Sequence, residues 1–166
     1  DGDIGLLTQS GNVGVDLGHA ASNRDTGFTY NIGVGNETDI KVHEYLSFLE
    51  QDENTSGVVA YFEGLSEGRK FLQAATDVVP EMPIIVLKGG ESDVGKEAIQ
   101  SHTSSLAGNA AVVNDVFQQA GIIKVNRTDE LLPVADALVS QRAPDGPSVG
   151  VMSDGGGHAT LVADSL

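Results

Sequence analysis

The sequence predicts an α/β fold in which an open, doubly wound parallel sheet of about five strands is flanked by helices. Three observations carry that expectation. Short runs rich in Val and Ile recur along the chain, each followed by a stretch of helical periodicity, which is the pattern of successive βαβ units. The runs are apolar almost throughout rather than alternating, as strands covered on both faces are. Gly, Pro and charged residues punctuate their ends, where the loops of such a sheet carry ligand chemistry.

The elements follow in order. The first strand, residues 4–8, leads through the small-residue turn Gln9-Ser10-Gly11-Asn12-Val13-Gly14 into a helix over 13–24. The second spans 28–34; Gly33, Gly35 and Asn36 loosen the backbone after it, and Asp39 is placed to N-cap a helix over 40–51. A third strand over 58–62 runs out into Glu63-Gly64 and precedes a helix over 67–78. Pro80 and Pro83 bracket the approach to a fourth strand over 84–87, which ends in Lys88-Gly89-Gly90. The polar segment Ser101-His102-Thr103-Ser104-Ser105-Leu106-Ala107-Gly108 then presents an imidazole after a helical stretch. Beyond it comes a helix over 109–119, stopped near Gly121. A fifth strand over 122–125 and a helix over 128–139, with Asp129 and Glu130 at its positive dipole end, complete a flavodoxin-like sandwich.

From 141 onward the composition turns to Pro, Gly and charge, which reads as a linker. Val149-Gly150-Val151-Met152 then reads as a further strand, followed by Gly155-Gly156-Gly157 and a helical stretch. The expected division is a domain over 1–142, a linker over 143–147, and a truncated βα unit over 148–166 that opens a second flavodoxin-like domain. On this reading the chain is a portion of something longer.

Composition narrows the function. The 166 residues are 40% hydrophobic, enough for a core. No apolar run is long enough to span a membrane and no basic-then-apolar leader is seen, so a cytoplasmic protein is expected. There is no cysteine, and His19, His43, His102 and His158 lack metal-ligand spacing, so no metal site is expected. Twenty-four acidic residues against nine basic ones give a net charge of −15, spread along the chain, which disfavours nucleic acid. Dispersed acidity of this kind resembles that of proteins from salt-loving organisms, where salt screens the self-repulsion.

Candidate chemistry sits after the strands. The amides of Ser10, Gly11 and Asn12 at a helix start could hold a phosphate or carboxylate, or form only a tight turn. Gly33, Gly35 and Asn36 let backbone approach a ligand. Glu63 is either a solvated loop residue or the partner that fixes an imidazole's tautomer. Lys88 with Gly89 could meet an anionic substrate or pair with Glu63. His19 and His43 read as structural or solvated, and His158 as a loop residue beside the glycines.

Gln9-Ser10-Gly11, Gly33 to Asp39 ("GNxxD"), Tyr61 to Gly64 ("YxEG"), Lys88-Gly89, Ser101 to Gly108 ("SHTGxLAG"), Gln119-Ala120-Gly121 and Gly155-Gly156 occur in that order. Together they resemble the ADP-forming acyl-CoA (acetyl-CoA) synthetases, relatives of succinyl-CoA synthetase. Ser104 departs from the family, which usually has glycine there. The resemblance implies that His102 is phosphorylated during turnover, that Glu63 steadies it, and that Ser10 and Gly11 lie at the phosphoryl group. It implies the reaction acyl-CoA + ADP + phosphate = acid + CoA + ATP, with a mobile loop carrying the phosphoryl group from an acyl phosphate to the nucleotide. CoA and ADP or ATP with magnesium are then substrates of the full enzyme, and no cofactor is expected tightly bound to this chain. The implied partners are an N-terminal CoA-binding domain and an ATP-grasp domain or β subunit. The alternative is a non-catalytic CoA- or acyl-CoA-sensing module, as in synthetase-like regulatory proteins or acetyltransferases. A flavin-phosphate-binding domain is a third reading, disfavoured by an aromatic content of 5%.

Overall fold

A computed structural model describes residues 2–24, 26–102, 110–141 and 146–166, with residues 100–102 described by their backbone alone. Five parallel strands, β1 (Ile4–Thr8), β2 (Phe28–Gly33), β3 (Gly57–Phe62), β4 (Ile84–Lys88) and β5 (Ile123–Val125), form one sheet in the order β2-β1-β3-β4-β5. The expected doubly wound sheet is therefore present. The helices are α1 (Gly11–Ser22), α2 (Val42–Glu50), α3 (Gly68–Val78), α4 (Asp93–His102), α5 (Ala110–Ala120), α6 (Thr128–Ser140) and α7 (Gly156–Ala163).

Alternation along each strand builds two cores. Leu7, Val58, Ala60, Phe62, Ile84 and Val86 face one side, where Leu46, Leu49, Phe71, Ala75 and Phe117 of α2, α3 and α5 cover them. Ile4, Leu6, Val59, Ile85 and Val125 face the other, beneath Leu17 and Ala21 of α1 and Leu131, Leu132 and Ala135 of α6. Both faces are covered, which is why the strands read as apolar runs instead of alternating ones.

The order reverses at β1. The chain leaves β1 toward β2 by way of α1, then crosses back by way of α2 to place β3 on the other flank of β1. A crevice opens at such a switch point, beyond the carboxyl ends of the two strands that diverge there. Register aligns those ends: Thr8 is opposite both Gly33 and Tyr61, and Phe62 is opposite Lys88. With strands about 4.8 Å apart, the ends of β2, β1, β3 and β4 span roughly 15 Å.

Four element expectations change. Helix α1 begins at Gly11, with Ser10 as its N-cap. Asp39 does not cap α2; the N-cap is Lys41, whose N–H donates to the Glu44 carboxylate at 2.9 Å. Helix α4 is the helical stretch expected before the His102 segment, but it extends into that segment, so Ser101 and His102 belong to its last turn instead of a segment after it. Residues 149–152 are not a strand, since no described strand lies beside them to complete a ladder. Gly121, at a φ of 76°, ends α5 as expected. No helix among the described residues is long and apolar enough to cross a membrane.

Candidate active site

Gln9 is the first residue past β1 and lies at the switch point. Its N–H still donates to the Tyr61 carbonyl at 3.1 Å, so β1 and β3 stay joined one step beyond the last paired residue. Its side chain then reaches across the crevice. Oε1 accepts from the N–H groups of Glu63 at 2.5 Å and Gly64 at 3.0 Å, while Nε2 donates to the Gly64 carbonyl at 2.8 Å and to Glu37 Oε1 at 3.0 Å.

Ser10 stands next to it as the N-cap of α1. Its hydroxyl accepts from the Val13 N–H at 3.5 Å, and its own N–H and carbonyl are tied to the Thr8 hydroxyl at 3.0 and 2.8 Å. The N–H groups of Gly11 and Asn12 begin the helix with no partner among the described residues, and no atom lies within 4 Å of where a Gly11 Cβ would sit. Unpaired amides at the positive end of a helix dipole suit an anion.

The loop after β2 contributes differently from expectation. Gly33, Gly35 and Asn36 are exposed and make no side-chain hydrogen bond, whereas Glu37 between them and α2 is buried, at 5% exposure. It adopts a φ of 51°, the left-handed region that a non-glycine residue rarely occupies. Its carboxylate accepts from Gln9 Nε2, from the Ser66 hydroxyl at 3.0 Å and from the Val42 N–H at 3.1 Å, the first amide of α2. That last bond occupies the place a capping side chain would take, which is why Asp39 is left outside the helix.

Glu63 and Lys88 lie on neighbouring strand ends. The Lys88 ammonium donates to the Glu63 carbonyl at 2.8 Å and to the carbonyl of Gly89. It therefore binds Glu63's backbone, and an ion pair with the carboxylate, one of the two roles open to Lys88, is not formed. Burial pushes the Lys88 pKa down, partly offset by the charges of Glu91 and Glu63, while Lys124 lowers it further. The Glu63 carboxylate receives the Tyr61 hydroxyl at 3.4 Å. Burial raises the Tyr61 pKa, and the charge and hydrogen bond of Glu63 raise it further, so Tyr61 is a neutral donor.

Gly89 and Gly90 set the next layer. A Cβ on Gly89 would come within 2.5 Å of the Tyr61 hydroxyl oxygen, so glycine there lets the ring lie over the strand end. Gly90 has a φ of 70°, and its Cβ would fall 2.3 Å from Ile99 Cδ1. Helix α4 thus rests on bare backbone just past β4. His102 ends that helix three residues beyond Ile99, a rise of about 4.5 Å along its axis. Residues 103–109, including Ser104, lie outside the described residues, as does the His102 side chain.

The rim therefore gathers Ser10, Gly11 and Asn12 from β1–α1, Glu63 from β3, and Lys88 and Gly89 from β4. Sequence reasoning missed Gln9 and Glu37 as site residues. Both lie inside quoted motifs, but their bonds link positions 28, 54 and 55 residues apart. His19 is exposed on α1, His43 lies 3.7 Å from Glu67, and His158 lies 3.5 Å from Asp154. No cluster of metal-ligating side chains occurs among the described residues.

Comparison with known proteins places the chain in a family. Residues 1–138 match the family model described as the succinyl-CoA ligase like flavodoxin domain. The α subunits of the ADP-forming acetate–CoA ligases II and I of Pyrococcus furiosus are 34% and 35% identical over 165 and 164 residues, 99% of this chain in each case. The chain spans 36% of the length of each of these curated relatives. Among solved structures, the apo form of the dinucleotide forming acetyl-coenzyme A synthetase 1 of Ca. Korarchaeum cryptofilum superposes with a TM-score of 0.90 at 30% identity, covering 99% of this chain and 36% of that one. The same synthetase in complex with phosphate and ADP gives 0.82 at 32% identity over 88% of this chain and 32% of that one. With five parallel strands in flavodoxin-like order and a family match over most of its length, the chain belongs to the succinyl-CoA ligase like flavodoxin domain family.

Proposed function

We propose that this chain is the phosphohistidine-bearing domain of an ADP-forming acyl-CoA synthetase, with His102 as the residue that carries the phosphoryl group. The observation that carries this reading is Glu63, a carboxylate fixed by its backbone at the β1/β3 switch point of a domain homologous to ligase α subunits. In the proposed sequence acyl-CoA and phosphate give an acyl phosphate and CoA. A nitrogen of neutral His102 attacks phosphorus, the bond from phosphorus to the acyl oxygen breaks, and the carboxylic acid leaves. The N–P bond then breaks as the β-phosphate of ADP, supplied as its magnesium complex, takes the phosphoryl group to form ATP.

This chain's own residues supply position and charge, which dominate phosphoryl-transfer catalysis. Glu63 accepts a hydrogen bond from the second imidazole nitrogen and stabilises the cationic adduct. The free amides of Gly11 and Asn12, with Ser10 shaping the turn, cradle the phosphoryl oxygens. Lys88 adds positive potential at the rim. Gly33, Gly35, Asn36 and Gly89 line the approach of the acyl-CoA. The proposed division keeps 1–142 as the ligase domain and 143–147 as a linker, with 148–166 belonging to a following unit. A CoA-binding domain and an ATP-grasp domain or β subunit complete the cytoplasmic enzyme, and the chain alone does not run the full reaction.

The test is acid-labile phosphorylation by acetyl phosphate in molar KCl, read by intact mass at neutral and acid pH. Wild type gains a phosphate that acid removes, and His102→Ala gains none. Glu63→Gln labels roughly 10- to 100-fold more slowly, the usual cost of losing the carboxylate that orients a working imidazole. Absence of labelling in both this chain and the complete synthetase, each shown to be folded, overturns the reading in favour of a CoA-sensing module.

A further inference from the structure

We propose that Gln9, with its amide locked by the buried carboxylate of Glu37, is the positioning residue that sets Glu63 for its work on His102. The inference rests on the reading of Glu63 and His102 just given and extends it to two residues that touch neither phosphate nor acyl group.

A primary amide offers two lone pairs on oxygen and two N–H donors, and Gln9 uses all four. Oxygen takes the consecutive N–H groups of Glu63 and Gly64, and nitrogen serves the Gly64 carbonyl and Glu37. Turning the amide over would set donors against two N–H groups and an acceptor against a carbonyl and a carboxylate. Glu37 therefore dictates which way the amide faces. Glu37 is in turn held by Ser66 and the first amide of α2, at a buried site and a strained φ. Strain of this kind persists only where the surroundings over-determine it, and it clusters at functional sites.

Pairing of the strands does not need this device, because the Gln9 N–H already bonds to Tyr61 and the Gly89 N–H to Phe62 at 2.8 Å. The side-chain network acts one residue later, on the backbone that carries Glu63. Gln9 grips the Glu63 N–H from the β1 side and Lys88 grips its carbonyl from the β4 side. Among the described residues the carboxylate itself takes a hydrogen bond only from the Tyr61 hydroxyl, with the Lys88 ammonium close enough to feel its charge. The backbone of Glu63 is thus clamped at both ends while its carboxylate is left for another partner.

The experiment compares Gln9→Ala, Glu63→Gln and the double variant, in whichever form labels with acetyl phosphate, this chain or the complete synthetase. Labelling rate is followed against pH, and hydrogen exchange is read at the amides of Glu63 and Gly64. Gln9→Ala is expected to slow labelling about tenfold. It moves the acid limb of the pH profile downward, as Glu63→Gln does, because an imidazole without its carboxylate loses its proton at lower pH. It also strips protection from the two amides, and the double variant labels no more slowly than Glu63→Gln. A full second loss in the double variant, or unchanged protection in Gln9→Ala, overturns the proposal while leaving Glu63 in its role. Labelling of Glu63→Gln at the wild-type rate overturns both. Should Gln9→Ala fail to fold, Glu37→Gln carries the test, since an amide at 37 that keeps its oxygen toward Ser66 and Val42 turns its nitrogen toward Gln9 and removes the acceptor that locks the Gln9 amide. It is expected to weaken protection of the Glu63 and Gly64 amides and to slow labelling, with no further loss when combined with Glu63→Gln. Unchanged protection and rate overturn the proposal.

Discussion

Glu91, just past Gly90, shows how much a single residue depends on neighbours distant in sequence. Burial pushes its carboxyl up, yet hydrogen bonds from Lys124 and Asn114 and the charges of Lys124 and Lys88 outweigh that and bring it below its ordinary value. The Lys124 bond is 2.6 Å long and spans 33 positions. A depressed carboxyl contributes stability that is complete above its unfolded value, near 4.5, and is lost as pH falls through the lower folded value. Glu91→Gln is therefore expected to be less stable than wild type at neutral pH by up to about 1 kcal/mol, since the pair is partly screened by solvent. In acid the two converge, which urea unfolding on both sides of that window would register. The same dependence on distant partners explains what could be read at this scale. Glu63 and Lys88 stood out because each follows an apolar run directly. Gln9 and Glu37 did not, because nothing in a linear motif says which amide will meet which carboxylate across a sheet. Asp39 looked like a cap by type and position, but the Glu37 carboxylate takes the amide it would have served.

Elements with a strong buried stripe were legible to within a residue or two, and α4 shows the contrary case. Its one buried described residue is Ile99, its third residue is Gly95, and Val94 is 78% exposed, so the helical stretch expected there carried little periodicity to fix its bounds. What seats it is the bare backbone of Gly90, a feature of the loop and not of the helix. Gly90→Ala must accommodate a Cβ at a φ of 70° and 2.3 Å from Ile99. A loss of about 1–3 kcal/mol is expected, in chemical denaturation. Gly18→Ala, in the middle of α1 with nothing within 4 Å, is the control and should be neutral or stabilising by about 0.5–1 kcal/mol. If α4 positions His102, Gly90→Ala also slows acetyl phosphate labelling by more than its stability loss explains. The 149–152 run failed in the opposite way: it has strand composition but no neighbour to pair with, and composition cannot supply one.

For the whole molecule, the parallel sheet, its five strands and its two covered faces were all legible, because burial on both faces imposes apolar runs, which only 149–152 imitated without forming a strand. The strand order, and with it the convergence of the rim, follows from crossovers that leave little trace in sequence. Net charge acts at this scale too. At −15 the chain repels itself, and molar salt shortens the screening length to about 3 Å. Melting temperature is expected to rise between low salt and molar KCl, by about 4–8 °C if screening restores ~2 kcal/mol. A flat response would show that the acidic groups are too dispersed to matter.

The strand order also decides where the molecule is exposed to misassembly. Both rims of the sheet are open among the described residues, but they are unequal. At one stands β5, three residues long with Lys124 at its centre, too short and too charged to template another chain. At the other stands β2, Phe-Thr-Tyr-Asn-Ile-Gly, six residues with high β-propensity and no charge, in a protein otherwise crowded with carboxylates. Whatever docks against this domain or precipitates with it finds only one hospitable border, so association through the sheet has a built-in polarity.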